Sequence, residues 1–162
     1  MTTHAIPTVL TLLTIGCAGP YATVEGEVSG KGLSDVNTIM YGGPFIIVAD
    51  VALDCLEVSW VTRHYSQGEA VTDFDFELLQ FAFSDPDVYE GVFNLAGESS
   101  VTAKFITQSN GAFSEYRGRE GNLEVDALED NKLAMGIFDV GFDEGTLSGD
   151  YQAEWCRNLK DN

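Results

Sequence analysis

The sequence predicts an all-β fold, an antiparallel β-sandwich or barrel of about 8–9 strands with one short helix near residues 51–58. Three observations carry that prediction. Short apolar runs recur at regular spacing, separated by clusters of Gly, Pro, Asn, Asp and Ser. One stretch, Asp73-Phe74-Asp75-Phe76-Glu77-Leu78, alternates acid and apolar at the two-residue period of a half-buried strand. The last third reads as three strands joined by two tight turns. With 162 residues, 44% of them hydrophobic, the chain suits one domain plus a processed segment.

The elements follow in order. Thr23 to Val28 alternates and stops at Ser29-Gly30-Lys31-Gly32, a turn-rich cluster. Val36 to Tyr41 stops at Gly42-Gly43-Pro44. Phe45-Ile46-Ile47-Val48-Ala49 is a continuous apolar run, the pattern of a central strand buried on both faces. Val51 to Val58 reads as the short helix, with Asp50 as its cap and Leu53, Cys55 and Leu56 turned inward. In the alternating stretch, acids line one face and aromatics the other, and the strand continues through Phe83. Ser84-Asp85-Pro86-Asp87 makes a turn. Val88–Leu95 and Val101–Thr107 follow as strands. Asn122–Leu128, Leu133–Phe142 and Thr146–Trp155 form a meander, with turns at Asp130-Asn131-Lys132 and Asp143-Glu144-Gly145. Leu147, Gly149, Tyr151, Ala153 and Trp155 share one face of its last strand.

Charge narrows the function classes. Eight basic residues face 26 acidic ones, a formal net charge of -18. Such a field repels nucleic acid and anionic headgroups and favours basic partners or cations. The basic cluster Tyr116-Arg117-Gly118-Arg119 is short and reads as a loop within an acidic chain.

Catalytic constellations are sparse. The body holds one histidine, His64, between Arg63 and Tyr65 in a polar, loop-like stretch. Zinc sites built on two or three histidines are therefore not to be had from it. No Gly-x-Ser-x-Gly elbow, Walker loop or dinucleotide fingerprint appears. A calcium-dependent adhesion module is a further expectation. Its candidate ligands are Asp73/Asp75/Glu77, Asp85/Asp87/Glu90 and Asp139/Asp143/Glu144. Acids at i and i+2 of a strand stand nearly 7 Å apart, though, whereas calcium needs oxygens at about 2.3–2.6 Å. A secreted hydrolase acting on carbohydrate through paired carboxylates, with Trp60 or Trp155 stacking on sugar, is the enzymatic alternative.

The N-terminus supplies an address. Residues 5–16 carry no charge, and Val9 to Ile15 are apolar apart from threonines. That is too short to span a bilayer, which takes about 20 residues, and fits the centre of a secretory signal. The run ends at Gly16-Cys17. Leu12-Leu13-Thr14-Ile15-Gly16-Cys17 resembles a bacterial lipobox, with Thr14 where that family most often has Leu. The resemblance implies cleavage between Gly16 and Cys17, a covalent diacylglycerol and N-acyl group on Cys17, and a membrane partner reached through the lipid. Ala18 follows where an inner-membrane retention signal would place Asp, so an outer-membrane address in the cell envelope is implied. The chain then divides into a signal over 1–16, a tether over 17–22 and one β-rich domain over 23–158.

Acylation of Cys17 would leave Cys55 and Cys156 as the only pair among three cysteines. An exported, oxidising setting favours their disulfide; a reducing one leaves two buried thiols. The body is also similar to a diverse set of uncharacterised bacterial lipoproteins. The shared pieces are Gly26-Glu27-Val28-Ser29-Gly30, the mid-chain Cys55, and the closing Gly149-Asp150-Tyr151-Gln152-Ala153-Glu154-Trp155-Cys156. No activity comes with that resemblance. The expectation is a membrane-anchored exported lipoprotein, a non-enzymatic binding or structural β module for a protein, glycan or cation ligand.

Overall fold

The computed structural model describes residues 19–66, 74–97 and 99–161. Its strands are β1 (Tyr21–Val28), β2 (Thr38–Gly42), β3 (Phe45–Ala49), β4 (Phe76–Phe83), β5 (Gly91–Asn94), β6 (Val101–Ser109), β7 (Ala112–Arg117), β8 (Glu120–Glu129), β9 (Leu133–Phe142) and β10 (Gly145–Trp155). Helix α1 (Cys55–Ser66) and a 3-10 turn (Arg157–Asp161) complete it. All the strands join one sheet in the order β5-β8-β9-β10-β2-β3-β4-β6-β7, with β1 alongside β10. The sheet curls into a half-barrel, so that Phe81 of β4 meets Phe138 of β9 at 5.5 Å and Phe105 of β6 meets Phe142 at 6.3 Å.

The predicted all-β class stands, with one correction: the sheet is mixed rather than purely antiparallel. β10 outruns β1, and its last residues, Glu154 and Trp155, pair in parallel with Met40 and Tyr41 of β2. The other strand pairs are antiparallel.

Two cores explain the two kinds of strand. Inside the curl, Ile46, Val48, Leu79, Phe81, Phe105, Leu123, Phe138, Leu147 and Tyr151 pack together. Outside, α1 and the 3-10 turn cover one half of the sheet, burying Ile47, Ala49, Val58, Val61, Phe76, Leu78, Cys156 and Leu159. The apolar run of β3 is continuous because its alternate residues enter different cores. β9 and β10 alternate because their outer face is open. Between them, aromatic rings lie opposite glycines in both directions: Tyr151 faces Gly136, and Phe138 faces Gly149. A Cβ on Gly136 would stand 1.8 Å from the Glu124 carbonyl oxygen, so only glycine fits there.

The helix begins at Cys55, not Val51. Thr38 Oγ1 donates to the Val51 carbonyl and accepts from the Leu53 amide, both at 2.7 Å. That strap ties the backbone of residues 51–53 to β2. Asp54 is the cap: its carboxylate accepts from the amides of Leu56 and Glu57 at 2.8 and 2.9 Å, and Glu57 accepts from the Asp54 amide at 2.8 Å. This reciprocal arrangement is a capping box. Asp50 instead accepts from the Glu77 amide at 2.8 Å. The later start turns Val58 and Val61 inward and leaves Leu56 67% exposed. It also places Arg63 and His64 on the last helical turn, where positive charge suits the helix dipole, rather than in a loop.

Of the basic cluster read as a loop, Tyr116 and Arg117 end β7, while Gly118 and Arg119 lie between β7 and β8. Asn110 and Gly111 both take positive φ, 51° and 74°, the geometry of a tight hairpin that Asn-Gly favours. The sheet ends on two short strands, β5 with four residues and β7 with six. Short edges, here with Glu115 and Arg117 on β7, resist pairing with other chains.

Candidate functional site: an open acidic sheet face

Charge is divided across the sheet. The strands β1, β5, β8, β9 and β10 contain no Lys, Arg or His, yet carry Glu25, Glu27, Glu120, Glu124, Asp126, Glu129, Asp139, Asp150 and Glu154. Their outer face is the half that α1 leaves uncovered.

Strand register orders this face. One row across the strands runs Val92, Glu124, Ile137, Asp150, Thr23. The next runs Asn94, Asn122, Asp139, Ser148, Glu25. A third runs Glu120, Gly141, Thr146, Glu27. In no row do two carboxylates stand on neighbouring strands. Like charges directly opposite are destabilising, and the stagger avoids them. Carboxylates within a row are thus at least two strands, about 10 Å, apart. Across rows, Asp139 is diagonal to Glu124 and Asp150 at about 7–8 Å, so the face suits a partner presenting several separate positive charges.

Two apolar side chains stand among the acids, Val92 at 66% and Ile137 at 50% exposure. Between them is a groove of 260 Å³ lined by Val92, Asn122, Glu124, Ile137, Phe138 and Asp139. Glu124 shares a hydrogen bond with Asp126, and that bond, then the like charge of Asp126, raises its pKa above the ordinary value. Asp126 reaches Glu124 because β8 bulges between Val125 and Ala127.

Other sequence candidates resolve differently. Gly16 and Cys17, with the cleavage site and lipid attachment read there, lie outside the described residues, as does Asp73. Cys55 and Cys156 are brought to disulfide distance, with Cα atoms 5.3 Å apart. They link the start of α1 to the end of β10. His64 lies against Trp60, ring centroids 4.3 Å apart, with Nδ1 2.9 Å from the Trp60 carbonyl oxygen. Trp155 packs edge-on against Tyr41 at 5.2 Å and borders the inner core. Trp60 is 44% exposed and lines a 480 Å³ groove with Leu56, Glu57, Ser59, Arg63 and Asn158.

Four of the calcium candidates are engaged singly. Asp75 accepts from Ser109 and the Asn110 amide, Glu77 pairs with Lys31 at 3.5 Å, Glu90 accepts from the Leu128 amide, and Asp143 pairs with Arg119 at 3.2 Å. Among the described residues no three of His, Cys, Asp and Glu group as metal ligands. Desolvation, first for both, raises the pKa of Asp50 and of Glu77, and the Asp50 charge raises that of Glu77 further. Among the described residues no helix is long and apolar enough to cross a membrane.

The face was hidden in the sequence because its rows are made by pairing. Val92 and Ile137 meet the same Glu124 from opposite sides. The absence of cations from the alternating segments 21–28, 91–94, 120–129, 133–142 and 145–155 was the available signal. No protein-family model matches the chain, and neither does any curated protein or solved structure.

Proposed function

We propose that this protein is an exported lipoprotein, anchored to the cell envelope through acylated Cys17, whose β module binds a basic protein segment on its acidic sheet face. The observation that carries the binding reading is the staggered set of carboxylates around Val92 and Ile137, on five strands without a cation. The spacing favours an extended or helical segment with cations about 10 Å apart and an apolar residue between them. The face measures about 20 Å by 25 Å, which suits a segment and a transient contact better than a whole domain. The export reading is supported by the signal-like N-terminus and by Cys55 and Cys156 standing at disulfide distance, a pairing that an oxidising compartment would complete. An outer-membrane address follows from Ala18 in the resemblance to lipoprotein signals.

A fluorescently labelled peptide of alternating lysine and leucine tests the binding reading by anisotropy. Saturable binding is expected, weakening as salt screens the charges over about 8 Å at physiological strength. Ile137→Ser should weaken it about tenfold, from about 60 Å² of apolar surface. Asp139→Asn with Asp150→Asn should flatten the salt dependence. Binding that ignores all three substitutions would remove this face from consideration.

A further inference from the structure

Three of the chain's eight basic residues, Lys104, Arg117 and Arg119, line a groove of 230 Å³ where β6 and β7 approach Leu95 and Gly97, just past β5. Val101 and Ala103, both buried, also line it. Gly97 and Gly118 form its rim, and a side chain on Gly97 would meet nothing within 4 Å, so the approach is open.

We infer that this groove is a binding site for a small oxyanion of the phosphate or sulfate type. The main reason is that three basic side chains border one groove in so acidic a chain. Lys104 of β6 and Arg117 of β7 stand directly opposite each other in register, and like charges in that position oppose strand pairing. Glu115 lies between them, 3.3 Å from the Lys104 ammonium and 2.8 Å from Arg117 Nε. Arg119 is drawn toward the same groove and meets Asp143 at 3.2 Å. The three cations are thus paired with two carboxylates, Glu115 and Asp143, in a chain of net charge -18.

The donors fit the ligand. Arg117 presents five N–H donors, of which Glu115 takes the one on Nε. Guanidinium forks match the oxygens of phosphate or sulfate, and charge-assisted bonds of this kind are the strong ones. The Gly118 amide is already given to the Ala103 carbonyl at 2.9 Å, so side chains supply the recognition. Burial first, and Arg117 second, pull the Lys104 ammonium below the usual lysine range, a bias that an added anion would reverse. The volume lies below the roughly 300–1,000 Å³ of drug-sized ligand pockets and suits an inorganic ion or one headgroup phosphate.

Amide NMR on the purified protein tests this at constant ionic strength. Inorganic phosphate should shift the amides of Gly97, Gly118 and Arg119 saturably, while chloride leaves them in place. Arg117→Gln and Arg119→Gln, both at exposed side chains, should each weaken the effect about tenfold with the rest of the spectrum unchanged. Phosphatidylglycerol vesicles distinguish the source: competition with phosphate assigns a lipid headgroup, and its absence beside saturable phosphate binding assigns the free ion. Non-saturating shifts matched by chloride, or titrations indifferent to both arginine variants, would overturn the site.

Discussion

Breaking the link between Cys55 and Cys156 is the perturbation whose size follows most directly from the structure. The two residues are 101 apart in sequence. Closing a loop of that length removes unfolded-state entropy worth about 4.7 kcal/mol, an upper figure because residual structure in the unfolded chain reduces it. Little should be lost on the native side. Cys156 is fully buried among Met40, Ile47, Val58 and Leu159, where a thiol packs as a small apolar group. For a chain of this size each kcal/mol moves the melting temperature by about 2–4 °C, so reduction should lower it by about 10–20 °C. The assay is calorimetry with and without dithiothreitol, with thiol titration confirming two new sulfhydryls. A Cys55→Ala/Cys156→Ala double variant should melt near the reduced protein. A fall below about 2 °C, with both thiols titrating, would refute the reasoning.

Gly136→Ala should destabilise by at least about 3 kcal/mol, read by urea denaturation, because its Cβ would meet the Glu124 carbonyl oxygen at 1.8 Å. A neighbouring exposed change, Thr146→Ala, should cost far less. Asp54→Ala should cost about 1 kcal/mol by removing both capping bonds of α1, and the loss should appear as faster amide exchange in the first helical turn. The pH dependence of Asp50 has a definite sign. Its folded pKa is raised, chiefly by burial, so its ionised form is disfavoured in the fold. Its favourable contribution is present below the ordinary carboxylate pKa of about 4 and is lost as pH rises through the folded value. Asp50→Asn, which keeps the acceptor for the Glu77 amide, should therefore raise the melting temperature at neutral pH and leave it unchanged below about pH 3.5. An equal shift at both pH values would show that the charge is not the cause.

Much of the fold was legible from local pattern. The apolar run 45–49 was readable as a strand covered on both faces, and the final meander was readable from its alternation and turn residues. Leu147, Tyr151 and Ala153 do share a buried face. What local pattern could not supply was competition. Asp50 and Asp54 both look like helix caps, and the choice was made by Thr38, which lies far upstream and ties down residues 51–53. For β7 only Asn110-Gly111 marks the hairpin, because the strand itself is short and mostly exposed. The parallel step from β10 to β2 depends on β10 outrunning β1, a matter of relative lengths. The acidic face is harder still, since β1 and β5 join the β8-β9-β10 meander from far upstream in the sequence.

The most direct test of an exported, lipid-anchored module is mass spectrometry of the native protein extracted from membranes. The expected result is a chain beginning at Cys17 with added acyl mass, and a peptide in which Cys55 and Cys156 are covalently joined. A soluble chain that retains Met1 and carries three free thiols would contradict it.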